Sequence, residues 1–272
     1  MLQDDPYADD LALLTELARA AGDIARTHHR ADFQSWEKDG GAGPVTEVDI
    51  AIDRMLKAEL TAARPDHGWL SEETEDDRSR CDAERAFIVD PIDGTRAFMR
   101  GEDTFCHALA ISHGGEITVA AAYFPIKDQM YWATKGGGAW RDGERIAASS
   151  RAALDGASAL TGKPQMAAKL WPGGPPPVTP EFRNSLVYRH CLVARGRFDL
   201  AFTLRPAWEW DVAAGELIAR EAGALVTTAE GGSWAYNAAD PRMPGVIVAP
   251  PALHSSIMSR LTPIIETETA AS

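Results

Sequence analysis

The hexapeptide DPIDGT that begins at Asp90 constrains this chain more than any other feature, because it follows directly on the apolar run AFIV at residues 86–89. Pro91 fixes its own φ and disfavours helical backbone at Asp90, so the Asp90 carboxylate is predicted to project from the end of a strand. The same turn brings the Asp93 carboxylate and the Ile92 carbonyl towards one point. Two carboxylates about 5 Å apart repel by roughly 3 kcal/mol at an effective dielectric near 20, so this site requires a metal ion, a shared proton or an arginine partner.

The last two residues of the hexapeptide suit an anion. Gly94 removes a side chain where a ligand approaches the backbone, and Thr95 begins a predicted helix over residues 95–99. The free amides at the start of a helix attract phosphate groups. An alternative interpretation makes the hexapeptide only a strand-ending turn, because Asp, Pro, Gly and Thr are all ordinary turn residues.

Acids in two other segments extend this pattern. Glu72 and Glu73 follow a predicted short strand at residues 67–70, and Asp211 begins a predicted helix over residues 211–222. Together with the two aspartates of the hexapeptide, Glu72 and Asp211 suggest one metal site. An acid in the first turn of a helix also complements the helix dipole, so Asp211 taken alone has a simpler explanation.

Thr46 and Asp49 lie at the start of a second predicted helix, after a glycine-rich loop at residues 40–44. Thr46 is expected to cap this helix, and the acid three positions later completes a capping box. Capping is therefore one sufficient explanation of Asp49.

Four motifs in this order resemble those of the inositol monophosphatase family of magnesium-dependent phosphatases. They are KD at residues 38–39 with PVTEVD at 44–49, EE at 72–73, DPIDGT at 90–95, and WDVAAG at 210–215 with EAG at 221–223. The resemblance spans roughly residues 8 to 255. It implies an α+β fold, a layered α-β-α-β-α sandwich. We expect an N-terminal α+β half at residues 1–146 that carries most metal ligands, and a C-terminal α/β half at residues 147–272 that carries Asp211 and substrate contacts.

The resemblance also implies roles for individual residues. The metal ligands would be the carboxylates of Glu72, Asp90, Asp93 and Asp211 and the carbonyl of Ile92. Oxygen-only ligands select Mg²⁺, with Mn²⁺ as a substitute, over zinc, and we expect two or three ions. Glu72 and Thr95, with Asp49 behind them, would orient the attacking water. The amides of Gly94 and Thr95, together with Asp211, would hold the substrate.

The substrate is less constrained than the chemistry. Inositol phosphatases of the family carry a glutamate seven residues before the aspartate of the Trp-Asp motif, where this chain has Leu204. The run RPAWEWD at residues 205–211 looks more like the bisphosphate nucleotidase branch, whereas GGGAW at residues 136–140 is similar to the inositol phosphatase branch. We favour hydrolysis of adenosine 3′,5′-bisphosphate, with inositol 1-phosphate or histidinol phosphate as alternatives. A metal-binding scaffold protein without turnover is the alternative of a different class.

Three further side chains are candidate substrate contacts. Trp208 has the shape to stack on an adenine, although a tryptophan of the core is the simpler interpretation. Arg183 and Lys163 carry the charge to contact a second phosphate, although both are also typical of solvated loops.

The amino-acid composition limits the classes of molecule that this protein is expected to bind. The 272 residues carry a net charge of −13, which argues against binding to a nucleic acid polymer. It does not argue against a small phosphorylated metabolite, because bound divalent ions reverse the local field of an acidic pocket. Three widely separated cysteines give neither a disulfide framework nor a zinc pattern, so a reducing cytoplasm is expected. No signal peptide or membrane-spanning run is recognisable, and a homodimer is compatible with the resemblance.

Hydrophobic spacing predicts the remaining elements. A first helix is expected over residues 7–29, hairpin strands over 106–112, 116–124 and 129–133, strands over 186–193, 198–203, 224–228 and 245–249, and a last helix from about Leu253. The run KGGG at residues 135–138 lacks the spacing of a phosphate-binding loop and is predicted to be a plain turn.

Overall fold

The computed structural model describes residues 5–38, 40 and 43–269 of the chain. Asp39 of the KD motif, Gly41 and Ala42 of the glycine-rich loop, and the acidic residues at the N terminus before Asp5 lie outside the described residues.

The helices of the described chain are α1 (Ala8–His28), α2 (Glu47–Ala63), α3 (Thr95–Met99), α4 (Leu186–Ala194), α5 (Glu209–Glu221) and α6 (Pro251–Thr269). The strands are β1 (Ser35–Glu37), β2 (Pro44–Thr46), β3 (Gly68–Ser71), β4 (Arg85–Asp93), β5 (Cys106–His113), β6 (Glu116–Phe124), β7 (Gln129–Thr134), β8 (Gly138–Arg141), β9 (Glu144–Ile146), β10 (Ala157–Leu160), β11 (Val178–Glu181), β12 (Leu200–Thr203), β13 (Ala207–Trp208), β14 (Leu225–Thr227), β15 (Arg242–Met243) and β16 (Val246–Ala249). None of these helices is both long enough and apolar enough to cross a lipid bilayer.

A seven-stranded sheet in the order β3-β4-β5-β6-β7-β8-β9 forms the first β layer. The β3–β4 pair is parallel, and the other neighbours are antiparallel. Alternate residues of β4 are buried on opposite faces, since Phe87 belongs to a core with α1 and α2, and Ile88 belongs to a core with α4 and α5. Burial on both faces explains why the strand before Asp90 is a continuous apolar run.

A five-stranded sheet in the order β11-β10-β12-β16-β14 forms the second β layer. Helices α4 and α5 contact strands of both sheets, so they form the middle layer. Leu253 and Ile257 of α6 pack with Phe202 and Ile247 on the other side of this smaller sheet. The order of layers is therefore α1/α2, large sheet, α4/α5, small sheet, α6, and the predicted α-β-α-β-α sandwich is confirmed.

The strand predicted over residues 186–193 is wrong, because these residues form the helix α4. Every residue of α4 from Val187 to Ala194 is buried, so the segment has no polar face that would display a helical period. A short apolar run of this kind cannot be told from a buried strand by its pattern alone. Ser185 supplies the helix start, since its Oγ accepts from the amide of Tyr188 at 2.8 Å.

The other predicted elements are confirmed, with ends that differ by a few residues. The large sheet ends at Ile146 and the small sheet begins at Ala157. A single cluster of buried residues nevertheless joins both sheets through α4 and α5. The division of the chain at residues 146 and 147 therefore stays a prediction.

His190 in α4 makes the fold sensitive to acid. Burial lowers the pKa of its imidazole to about 3. In the unfolded chain the same imidazole has its ordinary pKa of about 6.5. Its Nδ1 has no hydrogen-bond partner among the described residues, and its ring lies against Gly215 of α5, where an added Cβ would come within 2.6 Å of Nδ1.

We expect the free energy of unfolding to fall by about 2 kcal/mol from this residue as the pH is lowered from roughly 7 to roughly 5. The sign follows because only the unfolded state takes up the proton in this interval. Urea unfolding of the wild type and of His190→Leu, followed against pH, measures the effect. The variant should show a shallower pH dependence; parallel curves would contradict the prediction.

Candidate active site

The turn after β4 places its carboxylates through a glycine in the left-handed region. Gly94 has φ of 103°, and a Cβ there would lie 3.3 Å from the carbonyl oxygen of Thr104. A side chain would be strained and crowded at this position, so the tight turn requires glycine. The end of β4 holds Asp90 and Asp93 beside Asp211 at the start of α5, and one carboxylate oxygen from each lies within 4.8 Å of the others.

These three carboxylates differ in how the protein supports them. Asp93 accepts from Ser185 Oγ at 2.5 Å and from the amides of Val187 and Leu186 at 2.8 and 3.3 Å, all at the start of α4. Oδ2 of Asp211 accepts a hydrogen bond at 3.0 Å from the backbone amide of Trp208, the residue just before α5. Asp90 is 1% exposed, and its Oδ1 has no hydrogen-bond partner among the described residues.

Burial and mutual repulsion disturb all three groups. Burial raises the pKa of Asp90 well above its ordinary value, and the charges of Glu72, Asp93 and Asp211 raise it further. Burial raises the pKa of Asp93 to about 6, although the hydrogen bonds from the start of α4 oppose the shift. Burial, followed by the charges of Glu72 and Asp93, raises the pKa of Asp211 to about 8. Without a cation, these shifts favour the protonated, uncharged forms of the three acids.

Glu72 and Glu73 sit beside the cluster and share one ammonium group. Nζ of Lys38 donates to one oxygen of each carboxylate at 2.7 Å. Burial opposes the charged form of Lys38, but the two glutamates outweigh it and raise its pKa. Burial and the charge of Glu72 raise the pKa of Glu73 to about 7. Glu72 and Lys38 both line the cavity described below.

Thr95 and Asp49 form a buried pair behind the turn. Oγ1 of Thr95 lies 3.3 Å from Oδ1 of Asp49 and 3.1 Å from the carbonyl oxygen of Ile92, and its single proton can be donated to either. Oδ2 of Asp49 accepts from the amide of Thr46 at 2.9 Å and also from its hydroxyl, so the predicted capping box is confirmed. Burial raises the pKa of Asp49 to about 6. Asp49 therefore caps α2 and contacts Thr95 at once.

A cavity of about 560 Å³ opens above these groups. The predicted site residues in its wall are Glu72, Asp90, Ile92, Asp93, Gly94, Thr95, Trp208 and Asp211. Arg183 lies outside this wall, where its guanidinium pairs with Glu181 at 3.1 Å. Lys163 lies in a short 3₁₀ helix, Lys163–Met166, that is also outside the wall.

Three arginines of the wall, Arg96, Arg189 and Arg205, were missed by the sequence analysis as site residues. Arg189 is 5% exposed and belongs to α4, and Arg205 is an exposed residue just before β13. A signal for Arg189 was available, since it is a charged residue inside the otherwise largely apolar run LVYRHCLVA. A strand over this run does not predict that the Arg189 side chain lines the cavity, whereas the helix α4 places it there.

Trp208 and Trp210 form a stacked pair at the cavity wall. Their ring centroids are 4.9 Å apart with an interplanar angle of 7°. Trp208 is 39% exposed, so it is not the tryptophan of the core that the simpler interpretation expected. It presents an aromatic face beside the acidic cluster.

The acidic cluster fits a divalent cation. Asp90, Asp93 and Asp211 supply oxygen donors from two rigid elements, and the unpartnered Oδ1 of Asp90 is a buried acceptor that a cation would satisfy. Hard cations such as Mg²⁺ prefer oxygen ligands of this kind.

Comparison with known proteins agrees with the fold and with the order of the motifs. The profile of the inositol monophosphatase family matches residues 8–267. The chain belongs to the inositol monophosphatase family. It is 37% identical over 226 residues to an inositol-1-monophosphatase of Rhizobium meliloti, a match that covers 79% of this chain and 83% of that protein.

Two further proteins are similar to this chain over nearly its whole length. The chain is 30% identical over 267 residues to the Nus factor SuhB of Haemophilus influenzae, a match that covers 95% of this chain and 97% of that protein. The solved structure of a Thermotoga maritima IMPase superposes with a TM-score of 0.80 at 27% identity, over 95% of this chain and 99% of that one. The resemblance suggested by the four motifs is thus confirmed at the level of family and fold.

Proposed function

We propose that this protein is a magnesium-dependent phosphomonoesterase that hydrolyses a small phosphorylated metabolite by direct attack of water. The observation that carries the proposal is the convergence of Asp90, Asp93 and Asp211 within 4.8 Å beside a threonine hydroxyl backed by a buried carboxylate. A passive metal site has no use for that second feature, which argues against a scaffold without turnover.

Asp90, Asp93, Asp211 and Glu72, with the carbonyl of Ile92, are the groups proposed to hold two or three Mg²⁺ ions. When bound, Mg²⁺ supplies positive charge that attracts the phosphate and offsets the charge that develops during its transfer. Mn²⁺ offers the same preference for oxygen ligands and is a proposed substitute.

Thr95 is proposed to orient the attacking water. Because its hydroxyl proton is donated to Asp49 or to the Ile92 carbonyl, its oxygen is free to accept a hydrogen bond from water. Glu72 faces the same cavity and offers a second acceptor. The water oxygen forms the new bond to phosphorus, the ester P–O bond breaks, and the alcohol oxygen takes up a proton. Holding the water in line with that bond accounts for a large part of the expected rate.

The amides of Gly94 and Thr95 at the start of α3 are proposed to contact the phosphate oxygens. Both residues lie in the cavity wall, and the first amides of a helix have no partner within the helix. Asp211 faces the same cavity and is proposed to contact the substrate as well as the cation.

Inositol 1-phosphate is the substrate candidate that the comparisons support best, because a relative at 37% identity bears the name inositol-1-monophosphatase. The preference for a bisphosphate nucleotidase has no support from these relatives, which are named inositol-1-monophosphatase and SuhB. A specific observation keeps a nucleotide as the second candidate, since the exposed face of Trp208 lies in the cavity wall, where a base can stack on it. Histidinol phosphate is a further alternative.

Phosphate release with a panel of monoesters tests the proposed function. The panel contains inositol 1-phosphate, adenosine 3′,5′-bisphosphate and histidinol phosphate, each assayed with Mg²⁺ and with EDTA. We expect release from at least one ester with Mg²⁺ and none with EDTA. Absence of magnesium-dependent release from the whole panel would favour the scaffold.

Magnesium should stabilise the fold as well as support turnover. At a free concentration about 100 times its dissociation constant, a ligand that binds only the folded state adds about 2.7 kcal/mol, which corresponds to a rise of roughly 5–10 °C in Tm. Thermal unfolding in Mg²⁺ and in EDTA at matched ionic strength measures this. The Asp90→Asn variant is the control and should lose most of the increase. Equal Tm values for the wild type in both buffers would contradict the proposed metal site.

A further inference from the structure

We propose that Arg189 and Arg205 form an anion-binding subsite in the active-site cavity, so that the preferred substrate is a phosphate ester with a second anionic group on its alcohol portion. The proposal rests on the phosphomonoesterase function proposed above and names the substrate class of that same site.

Arg189 is a buried guanidinium without a carboxylate partner. Its Nε and Nη2 both donate to the carbonyl oxygen of Arg183, at 2.7 and 2.5 Å. The guanidinium carbon lies 4.6 Å from the ring centroid of Phe182. Among the residues that the structure describes, Nη1 has no hydrogen-bond partner. A neutral carbonyl and an aromatic face orient this group, but they do not neutralise its charge.

A buried charge without a counter-ion is unfavourable, and buried charges in proteins are usually paired. Burial lowers the pKa of Arg189 to about 10, although Asp93 and Asp211 act in the opposite direction. Both of these acids belong to the cluster proposed to hold cations. Since Arg189 also lines the cavity, an anion in the cavity would be its missing partner.

Arg205 adds a second free guanidinium to the same wall. It is exposed, and within the described part of the chain it forms no hydrogen bond or ion pair. Its charge acts to lower the pKa of Arg189, so the two guanidinium groups repel each other. An anion between them would relieve the repulsion.

The cavity therefore carries both acidic and basic groups in its wall. The acidic cluster and its proposed cations suit the phosphate ester, whereas Arg189 and Arg205 suit a separate anion. Both phosphate and carboxylate form strong paired hydrogen bonds with arginine, so either group satisfies the geometry. A substrate with a single anionic group would leave Arg189 unpaired.

Matched pairs of esters test the subsite and identify the anion. The first pair, 3′-AMP and adenosine 3′,5′-bisphosphate, differs by a second phosphate. The second pair, glycerol 3-phosphate and 3-phosphoglycerate, differs by a carboxylate. We expect kcat/KM of the wild type to be about 10-fold or more higher for the more anionic member of at least one pair.

Arg205→Met should bring that ratio towards one, and Arg197→Met, which removes an exposed arginine outside the cavity, should preserve it. Arg205 is exposed and unpaired within the described residues, so its replacement tests the subsite even if Arg189→Met fails to fold. Ratios near one in the wild type, or the same ratio in the wild type and Arg205→Met, would overturn the proposal.

Binding measurements without metal test the arginine subsite independently of the proposed phosphatase activity. In EDTA the acidic cluster repels phosphate, so calorimetry with 5′-AMP and with adenosine isolates the arginine subsite. We expect the wild type to bind 5′-AMP about 10-fold more tightly than Arg205→Met does, with adenosine binding equal in both. This result supports the subsite even if no ester is hydrolysed. Hydrolysis of esters without any dependence on a second anion would overturn the subsite and leave the phosphatase function intact.

Discussion

Asp90→Asn should reduce phosphate release by about 10³-fold or more while it raises the Tm of the metal-free protein. The loss of activity follows because the amide carries no charge to hold a cation beside Asp93 and Asp211. The gain in stability follows because the Asp90 carboxylate is almost wholly buried, leaves Oδ1 unpaired and is repelled by three neighbouring acids.

The sign of the stability effect depends on pH. Because the folded pKa of Asp90 is raised, the wild type without metal is most favoured below the ordinary pKa of an aspartate and loses stability as the pH rises. At neutral pH we expect Asp90→Asn to be more stable than the metal-free wild type, and the gain to shrink as the pH falls towards the ordinary pKa of an aspartate. Thermal unfolding in EDTA across this range measures it.

Asp93→Asn is the matched control. It should also abolish activity while the fold stays intact, but it should not raise the Tm, because the Asp93 carboxylate accepts three hydrogen bonds from Ser185 and the start of α4. An amide replaces one acceptor oxygen by a donor and loses part of this cap. Near-normal turnover in either variant would contradict the proposed metal site. A Tm for Asp90→Asn below that of the wild type in EDTA would contradict the prediction that the buried Asp90 carboxylate destabilises the metal-free protein.

Thr95→Val should lower kcat by about 100-fold or more, in the range typical of losing a group that assists proton transfer. Valine has nearly the same shape but removes the hydroxyl that contacts Asp49 and is proposed to orient water. Affinity for Mg²⁺ should change little, because the three clustered carboxylates remain. Steady-state kinetics and calorimetry with Mg²⁺ separate the two effects.

Thr95→Ser is the corresponding control, since it retains the hydroxyl, and it should keep kcat within about 10-fold of the wild type. Thr95 is 9% exposed and its hydroxyl contacts buried acceptors, so circular dichroism is needed to establish that Thr95→Val is folded. A valine variant with the kcat of the serine variant would exclude Thr95 from orienting the water.

The apolar run before Asp90 shows what local pattern determines well. A strand buried on both faces needs apolar residues at most positions, and β4 continues through Pro91 to Asp93 until Gly94, in the left-handed region, turns the backbone sharply. The order of the acidic motifs along the chain was enough to predict the family and its layered sandwich, both of which the structure and the comparisons confirm. The roles of the site residues remain proposals.

The segment at residues 186–194 shows what local pattern does not determine. Its apolar residues are compatible with a strand or a helix, and only the two sheets that bury it from both sides decide for the helix α4. In this helix Arg189 lines the cavity, whereas Arg183, which precedes the helix, lies outside the cavity wall and pairs with Glu181. The spacing of these residues along the chain does not predict this difference.

The sequence by itself determined the family, through the order of four motifs that resemble it, and the pair of carboxylates Asp90 and Asp93, which depends on residue type and short-range backbone geometry. Only the tertiary structure decided which basic side chains share a cavity with those carboxylates, because Lys38, Arg189 and Arg205 belong to segments far apart in the sequence that only long-range packing brings together.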